Sequence, residues 1–370
     1  MGPVDAVGSM KPALSVFGSL LACAILYLLL WPVPVDPVAW DAPVNQGLVD
    51  PFGPDDRLKY ARAIDLGEHH GPEDLTSGHD GRLYATTTGG KILQIDGYGN
   101  VIEFADVGGR ALGIETDADG SFIVANAYIG LQRILRDGSV TTLLREVDGR
   151  PLVYADDLAI AADGTVYFSE ASTKFGAEQF GGTYEGSLLD IMEHGGHGQI
   201  IAFNPATGDA HVIIDGLNFA NGVAISEDQT FLLISDLGSY RILKHWLEGP
   251  DSGTTEVLLD NLPAFADNIN NGFNGRFWIG MIAPRSKQLD DLSDKPFLRK
   301  VVQRLPASLR PQAEPYSHVI AINGDGEVLM NLQDPAARFS SLTGVLETHD
   351  ALYLTSLFGN ELARLDKDDL

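Results

Sequence analysis

Four short stretches of the chain place side-chain oxygens in the same setting. Glu73-Asp74 precede Leu75, Asp156-Asp157 precede Leu158, Asn221-Gly222 precede Val223, and Asp267-Asn268 precede Ile269. In each, a pair of acid, amide or glycine residues opens an apolar, strand-like run. Carboxylate and amide oxygens are hard ligands, and an uneven set of them suits Ca2+ better than octahedral Mg2+. Brought together, the carboxylates of Glu73, Asp74, Asp156, Asp157 and Asp267 repel strongly, so they must be protonated, paired with bases or neutralised by cations. No Lys or Arg shares their aligned positions, and they exceed the needs of one ion, which leaves room for a second. Taken singly, each stretch reads as a turn or a solvated loop. Only their recurrence at one register points to a shared site.

The register comes from a repeat. Six units, beginning at Gly71, Arg110, Tyr154, Phe219, Phe265 and Ser341, each show a strand, a tight polar turn, a second strand rich in Tyr, Phe or Leu, and a third often carrying Arg or Lys. A spacing of roughly 40 residues or more is the period of propeller blades. A blade cannot bury both faces alone, so the units must pack around an axis. The fold expected is all-β, a six-bladed β-propeller over 61–370, with insertions at 170–197 and 282–316 that cover one face. Innermost strands of a propeller line its channel. The aligned positions then gather Glu73, Asp156, Asn221 and Asp267 at one spot, with Asn268 beside them; Leu112-Gly113 and Thr343-Gly344 fill the other two places.

Upstream of the repeat, residues 13–31 run without a charge between Pro12 and Pro32. At about 1.5 Å per residue this just spans a bilayer core of roughly 30 Å, so an uncleaved single-pass transmembrane anchor is expected, with 1–12 as a short N-terminal segment. A cleaved signal peptide is the rival, but no small-x-small cleavage site follows. Lys11 precedes the apolar run and Asp36 and Asp41 follow it, which points the bulk of the chain to the periplasmic or extracytoplasmic side. Residues 32–60, rich in Pro and Asp, read as an extended tether. The only cysteine, Cys23, lies in the apolar run, so no intrachain disulfide forms. A net charge of −26 with no basic run argues against a nucleic-acid partner and suits a cation-binding protein.

"GPEDL", "ADDLAI", "FANGVAIS", "FADNI" and "LYLTSLF" together resemble the calcium-dependent six-bladed propellers, over about 70–360. These comprise paraoxonases and arylesterases, the gluconolactonase (regucalcin) group and strictosidine synthase-like proteins. The stretch from Gly216 to Ile269 is most similar to the membrane-anchored strictosidine synthase-like branch that includes adipocyte plasma membrane-associated protein. The resemblance implies a catalytic calcium on Glu73, Asp156, Asn221, Asp267 and Asn268, with Asp156 standing where paraoxonases have an asparagine. It implies a second, structural calcium on Asp74, Asp157 and a backbone carbonyl near Ile114. Two departures limit the transfer. The paraoxonase histidine dyad falls on Leu112 and about Ala127, and the strictosidine synthase glutamate falls in Ser341–Thr343, where no acid stands.

The function expected is therefore calcium-dependent hydrolysis of a small-molecule lactone or aryl ester. The metal polarises the carbonyl, and Asp267 or Glu73 activates water, or Asp267 attacks directly. No G-x-S-x-G elbow or H-E-x-x-H helix offers another hydrolytic route. His194 and His197, in a Gly-rich loop of the first insertion, and His318, at the end of the second, are candidate substrate-binding groups. The alternative is a non-catalytic, calcium-stabilised, membrane-anchored binding scaffold. Amine–aldehyde condensation is disfavoured by the missing glutamate.

Overall fold

The computed structural model describes the backbone of residues 10–370 and the side chains from Val16 onward. Six four-stranded antiparallel sheets follow one another along the chain. Their innermost strands are Leu75–Ser77, Ala111–Thr116, Ala155–Ile160, Ala220–Ile225, Ala264–Asn271 and Leu342–Glu347. The first five sheets are each built from consecutive strands. The sixth takes its outermost strand, Arg62–Asp65, from the beginning of the propeller, with Arg62 opposite Arg364 and Asp65 opposite Glu361. Pairing the two ends of a ring in one ladder leaves no gap between first and last blade, and no blade can leave without breaking that sheet.

Apolar side chains facing each other across neighbouring blades make the core. Ile114 and Val124 pack on Tyr84 and Ile92, Val223 and Ile234 on Ile200, and Val345 and Leu354 on Trp278 and Val319. Trp278 is fully buried between the fifth and sixth blades, and its indole N–H donates to Glu347 Oε2 at 2.8 Å.

The feature that positions the polar pairs is a break in the ladder. Pairing with the second strand is lost between Ala111 and Ile114, Ala155 and Leu158, Ala220 and Val223, Ala266 and Ile269, and Leu342 and Val345. In the first blade the strand begins only after Glu73-Asp74, at Leu75. Two residues per blade are thus released from alternation and can be re-aimed, as bulges do elsewhere. Their backbone stays satisfied: the amides of Asp74, Asp157 and Gly344 donate to the hydroxyls of Thr86, Ser169 and Thr355 at 3.1, 3.0 and 2.9 Å.

Space around the axis admits a side chain at the second released position only in alternate blades. Asp74, Asp157 and Asn268 alternate there with Gly113, Gly222 and Gly344. A Cβ on Gly113 would stand 2.8 Å from Asp157 Oδ1, on Gly222 2.5 Å from the Asp267 carbonyl oxygen, and on Gly344 2.7 Å from Asn270 Oδ1. Across every other gap one side chain latches the next blade. Asp74 Oδ2 accepts from the Ile114 amide, Asp157 Oδ2 from Val223 and Asn270 Oδ1 from Val345, all at 2.9 Å.

Among the described residues four α-helices accompany the blades: α1 (Met10–Leu30), α2 (Thr183–Glu193), α3 (Lys287–Asp291) and α4 (Pro296–Gln303). The last three lie in the two insertions and cap one mouth of the channel. Residues 32–60 do not hang free as a tether. The amides of Asp36 and Val38 donate to Glu193 Oε2 and to its carbonyl, at 2.6 and 2.9 Å, and the Trp40 ring stacks on His194 at 3.9 Å. Val35 is buried against Phe175, Leu189 and Met192, so this segment is a strap across the cap. Among the described residues no helix is long and apolar enough to cross a membrane. The anchor expected over 13–31 is therefore not supported by the fold. Most of the expected 1–12 segment lies outside the described residues.

The latches are expected to carry stability that no metal provides. Asn270→Ala strips the Val345 amide of its acceptor in a buried setting, and should cost about 1–3 kcal/mol. The measurement is the urea midpoint in excess chelator.

Candidate metal centre

The bulge ring brings the predicted ligands together at the capped end of the channel. Glu73, Asp156, Asn221, Asp267 and Asn268 are all at most 3 % exposed. Asn221 Nδ2 lies 3.5 Å from Asp156 Oδ2, and Asn268 Nδ2 donates to Glu73 Oε1 at 2.9 Å. Because Asn270 latches Val345, Asn268 is free to turn toward Glu73. Four oxygens of this group have no hydrogen-bond partner although they are buried: Glu73 Oε2, Asn221 Oδ1, Asp267 Oδ2 and Asn268 Oδ1. A buried oxygen without a partner costs on the order of 1–3 kcal/mol, and more if charged. Four in one place, all acceptors and none a donor, fit a hard cation.

Burial first, and then repulsion from Glu73, holds the carboxyls of Asp156 and Asp267 well above the usual range. Glu73 is pushed up to about 8 by burial and by Asp74, against the opposing pull of Arg110 and of the Asn268 amide. Arg110 is the base that the aligned positions lack. It is 3 % exposed and donates from Nη1 to the Gly71 carbonyl at 3.0 Å, where its charge acts on Glu73 and Asp156. One guanidinium does not balance three carboxyls.

Asp74 and Asp157 sit one step deeper, and their oxygens are taken. Asp74 accepts from the amides of Ile114 (2.9 Å) and Asn270 (3.1 Å). Asp157 accepts from Leu158 and Val223 at 2.8 and 2.9 Å. Ile114 engages this layer through its N–H. Each of these oxygens already accepts a donor from the protein, whereas the upper set has oxygens that accept none. Among the described residues, three acid or imidazole groups with ligand atoms within 4.8 Å of one another occur at Glu68, His69 and Glu103 on the surface. The channel set is looser in carboxylates and relies on its interleaved amides.

Glu73, Asp156, Asn221 and Asp267 open into a cavity of about 530 Å³ roofed by the two insertions. Its wall is mostly apolar, with Leu112, Tyr154, Phe219 and Phe265 from the blades and Leu188, Met192, Leu289 and Phe358 among those above. Tyr154, Phe219 and Phe265 occupy one repeat position, two residues before the ligands, so the wall was present in the same alignment. Arg110 holds that position in the second blade. Reading the register two places upstream would have found both. The Tyr154 hydroxyl donates to the Thr183 carbonyl at 2.6 Å, tying the wall to α2.

The three candidate histidines are elsewhere. His194 is buried under Trp40, where burial drops it to about 3, and His197 pairs with Glu193 at 2.7 Å. His318 faces Asn331 at 2.8 Å. None lines the cavity. They serve the strap and an outer sheet, because the insertion folds its helix, and not its Gly-rich loop, over the channel.

A model described as strictosidine synthase matches residues 156–250, and one described as strictosidine synthase-like, N-terminal, matches 50–95. Strictosidine synthase-like 6 of Arabidopsis thaliana is 32% identical over 318 residues, covering 84% of this chain and 82% of that protein. Strictosidine synthase-like 13 of the same plant is 31% identical over 63% of this chain, and the match spans 58% of that protein's length. Adipocyte plasma membrane-associated protein of Salmo salar is 29% identical, covering 85% and 80%. Among solved structures, a gluconolactonase from Xanthomonas campestris superposes with a TM-score of 0.60 at 16% identity, covering 83% of this chain and 89% of its own, which shows the fold alone.

Without a cation, the raised carboxyls tie stability to pH. Glu73 binds its proton more tightly folded (about 8) than at its ordinary value of 4.5, so its contribution is complete below about 4.5 and lost as pH rises through about 8. In chelator, the melting temperature should fall across that window. A rise there would remove the buried-acid account.

Proposed function

The chain belongs to the strictosidine synthase-like family, and on that footing we propose that it is a calcium-dependent hydrolase of lactones or aryl esters. The observation that carries this reading is the set of unpartnered buried oxygens on Glu73, Asn221, Asp267 and Asn268 beneath an apolar cavity. These four residues and Asp156 would hold the ion. When bound, it supplies Lewis-acid polarisation of a carbonyl oxygen. Tyr154, Phe219 and Phe265 keep bulk water from the carbonyl's surroundings and give the acyl or aryl part an apolar seat. Asp267 is assigned as the acceptor of the proton from attacking water. Its neighbour Asn221 is neutral, whereas Arg110 beside Glu73 weakens that carboxylate as a base.

A non-catalytic binding scaffold is favoured by one observation: no imidazole lines the cavity, and Leu112 stands in the wall. Condensation of the strictosidine synthase type is disfavoured, because Ser341–Thr343, where the glutamate that drives it falls, holds no acid. We further propose attachment to a membrane through α1, with the propeller on the extracytoplasmic side. The exposed apolar side chains from Val16 to Trp31, and the membrane association in the relatives' name, support this.

The deciding experiment measures hydrolysis of a panel of lactones and aryl esters after chelation and again after calcium is restored. Turnover should vanish and return. Absence of turnover in both states, with a calcium-raised melting temperature, would replace the enzyme by the scaffold. Glu73→Gln should weaken calcium binding by about 10–100-fold in titration calorimetry. Asp267→Ala should lose at least roughly 100-fold in kcat/KM; a variant keeping both calcium and activity removes Asp267 from the mechanism.

A further inference from the structure

Charge is answered unequally at the two ends of the cavity. Its floor holds Glu73, Asp156 and Asp267, and the charge of Arg110 acts on the first two. Its roof brings one base to the wall, Arg310, directly after the short turn Ala307–Leu309. Arg310 Nε donates to the Leu305 carbonyl at 2.8 Å, which fixes the root of the guanidinium and leaves both terminal nitrogens. That bond to a neutral carbonyl takes one of the five N–H donors of a planar fork. The other bases of this insertion are committed elsewhere. Arg285, Lys287, Lys295 and Lys300 pair with Asp290, Asp291, Asp294 and Asp36. Arg299 donates to the carbonyls of Val38, Met192 and Ser293, and Arg304 to those of Leu28 and Trp31. Among the described residues Arg310 has no carboxylate partner.

The one acid of the roof, Glu185, is exposed in the first turn of α2, and a Cβ on Gly182 would stand 2.5 Å from its Oε2. Its carboxylate therefore lies at the N-terminal end of its own helix, where free amides and the dipole favour a negative charge. On the floor, a divalent cation together with Arg110 would equal Glu73, Asp156 and Asp267 in formal charge. Arg310 is then the charge that the cavity leaves open. A guanidinium meets a carboxylate through two parallel bonds, each stronger than a bond between neutral groups. A phosphate monoester, with close to two negative charges, would overshoot the balance. The field of a chain with a net charge of −26 does not draw anions in, so selection for one has to come from a base inside the cavity.

We infer that the substrate carries a free carboxylate besides the carbonyl that is attacked, and that Arg310 binds this carboxylate at the roof while the reacting group lies on the floor. Leu188, Met192, Phe219 and Phe265 in the wall then take an apolar spacer. The substrate class is an amphipathic one, a lactone or aryl ester with an acid at its far end, and a cavity of about 530 Å³ has room for it. The inference rests on the hydrolase reading for the floor. Its carboxylate site is tested by binding alone, so the two readings fail separately.

The test titrates the calcium-loaded full chain, in uncharged detergent, with inert amides in place of labile esters. The probes are para-acetamidobenzoate and the longer para-acetamidophenylbutanoate, each against its own methyl ester, with calorimetry as the readout. At least one acid should bind about tenfold or more tighter than its methyl ester. Arg310→Gln should abolish that preference and leave the methyl ester's affinity unchanged, and Arg310→Lys, which keeps the charge without the fork, should retain part of it. Each variant's calcium-raised melting temperature is matched to the parent's. With the corresponding acetate esters, Arg310→Gln should raise KM for the acid about tenfold and leave kcat and the methyl ester alone. Equal binding of acid and methyl ester by the parent, or binding of neither, would overturn the inference. A preference that survives Arg310→Gln would put the carboxylate on the floor and overturn it too, as would equal loss of acid and methyl ester in both variants. A preference that Arg310→Gln abolishes, in a protein that turns over no ester, would remove the hydrolase and keep the carboxylate site.

Discussion

The crowding of six strands around one axis is the constraint on which the rest of this molecule depends. Each innermost strand abandons its ladder for two residues, and at the second of these only every other blade has room for a side chain. Glycine in the second, fourth and sixth blades lets Asp157, the Asp267 backbone and Asn270 approach closely. The side chains in the alternate blades then reach across to the next blade's amide. Asp74, Asp157 and Asn270 thereby bind alternate pairs of blades to one another just below the open site.

Within that ring the polar groups divide by what satisfies them. Asp74 and Asp157 are answered by backbone amides and by the Asn270 side chain, although burial still raises their proton affinity. Glu73, Asn221, Asp267 and Asn268 keep oxygens that the protein does not answer, and only one buried base, Arg110, stands beside them. In the fifth blade Asn270, two residues past Asn268, takes over the latch and leaves Asn268 to the open set. One layer is completed by the polypeptide and the other is left open for something from outside.

The cap gives that open layer its surroundings. α2 and the segment after α4 roof a cavity whose wall is mainly apolar, and the strap from 32 onward is hydrogen-bonded into both insertions. Burial raises the proton affinity of the carboxyls, and the same burial strengthens any charge interaction made there. The histidines with a sequence claim on this site are spent on holding the strap and an outer sheet.

Much of this was legible in the sequence because a repeat converts spacing into spatial equivalence. Once six units align, residues at one register must meet at one height on the axis, and so Glu73, Asp156, Asn221, Asp267 and Asn268 could be named together. The same alignment held Tyr154, Phe219, Phe265 and Arg110 two places earlier, unread because only the polar position was followed. Insertions have no register. Nothing local distinguishes His194, stacked under Trp40, from a histidine facing the channel, and the Pro-rich segment after α1 has the composition of a free tether although Glu193, Arg299 and Arg304 bind it down. The chain by itself determined the blades, their number and the ring of oxygens, since these follow from period and alternation. Tertiary structure alone decided which oxygens remain unanswered, which face the insertions close and where the strap lies, because those depend on contacts between residues more than a hundred positions apart that no periodicity encodes.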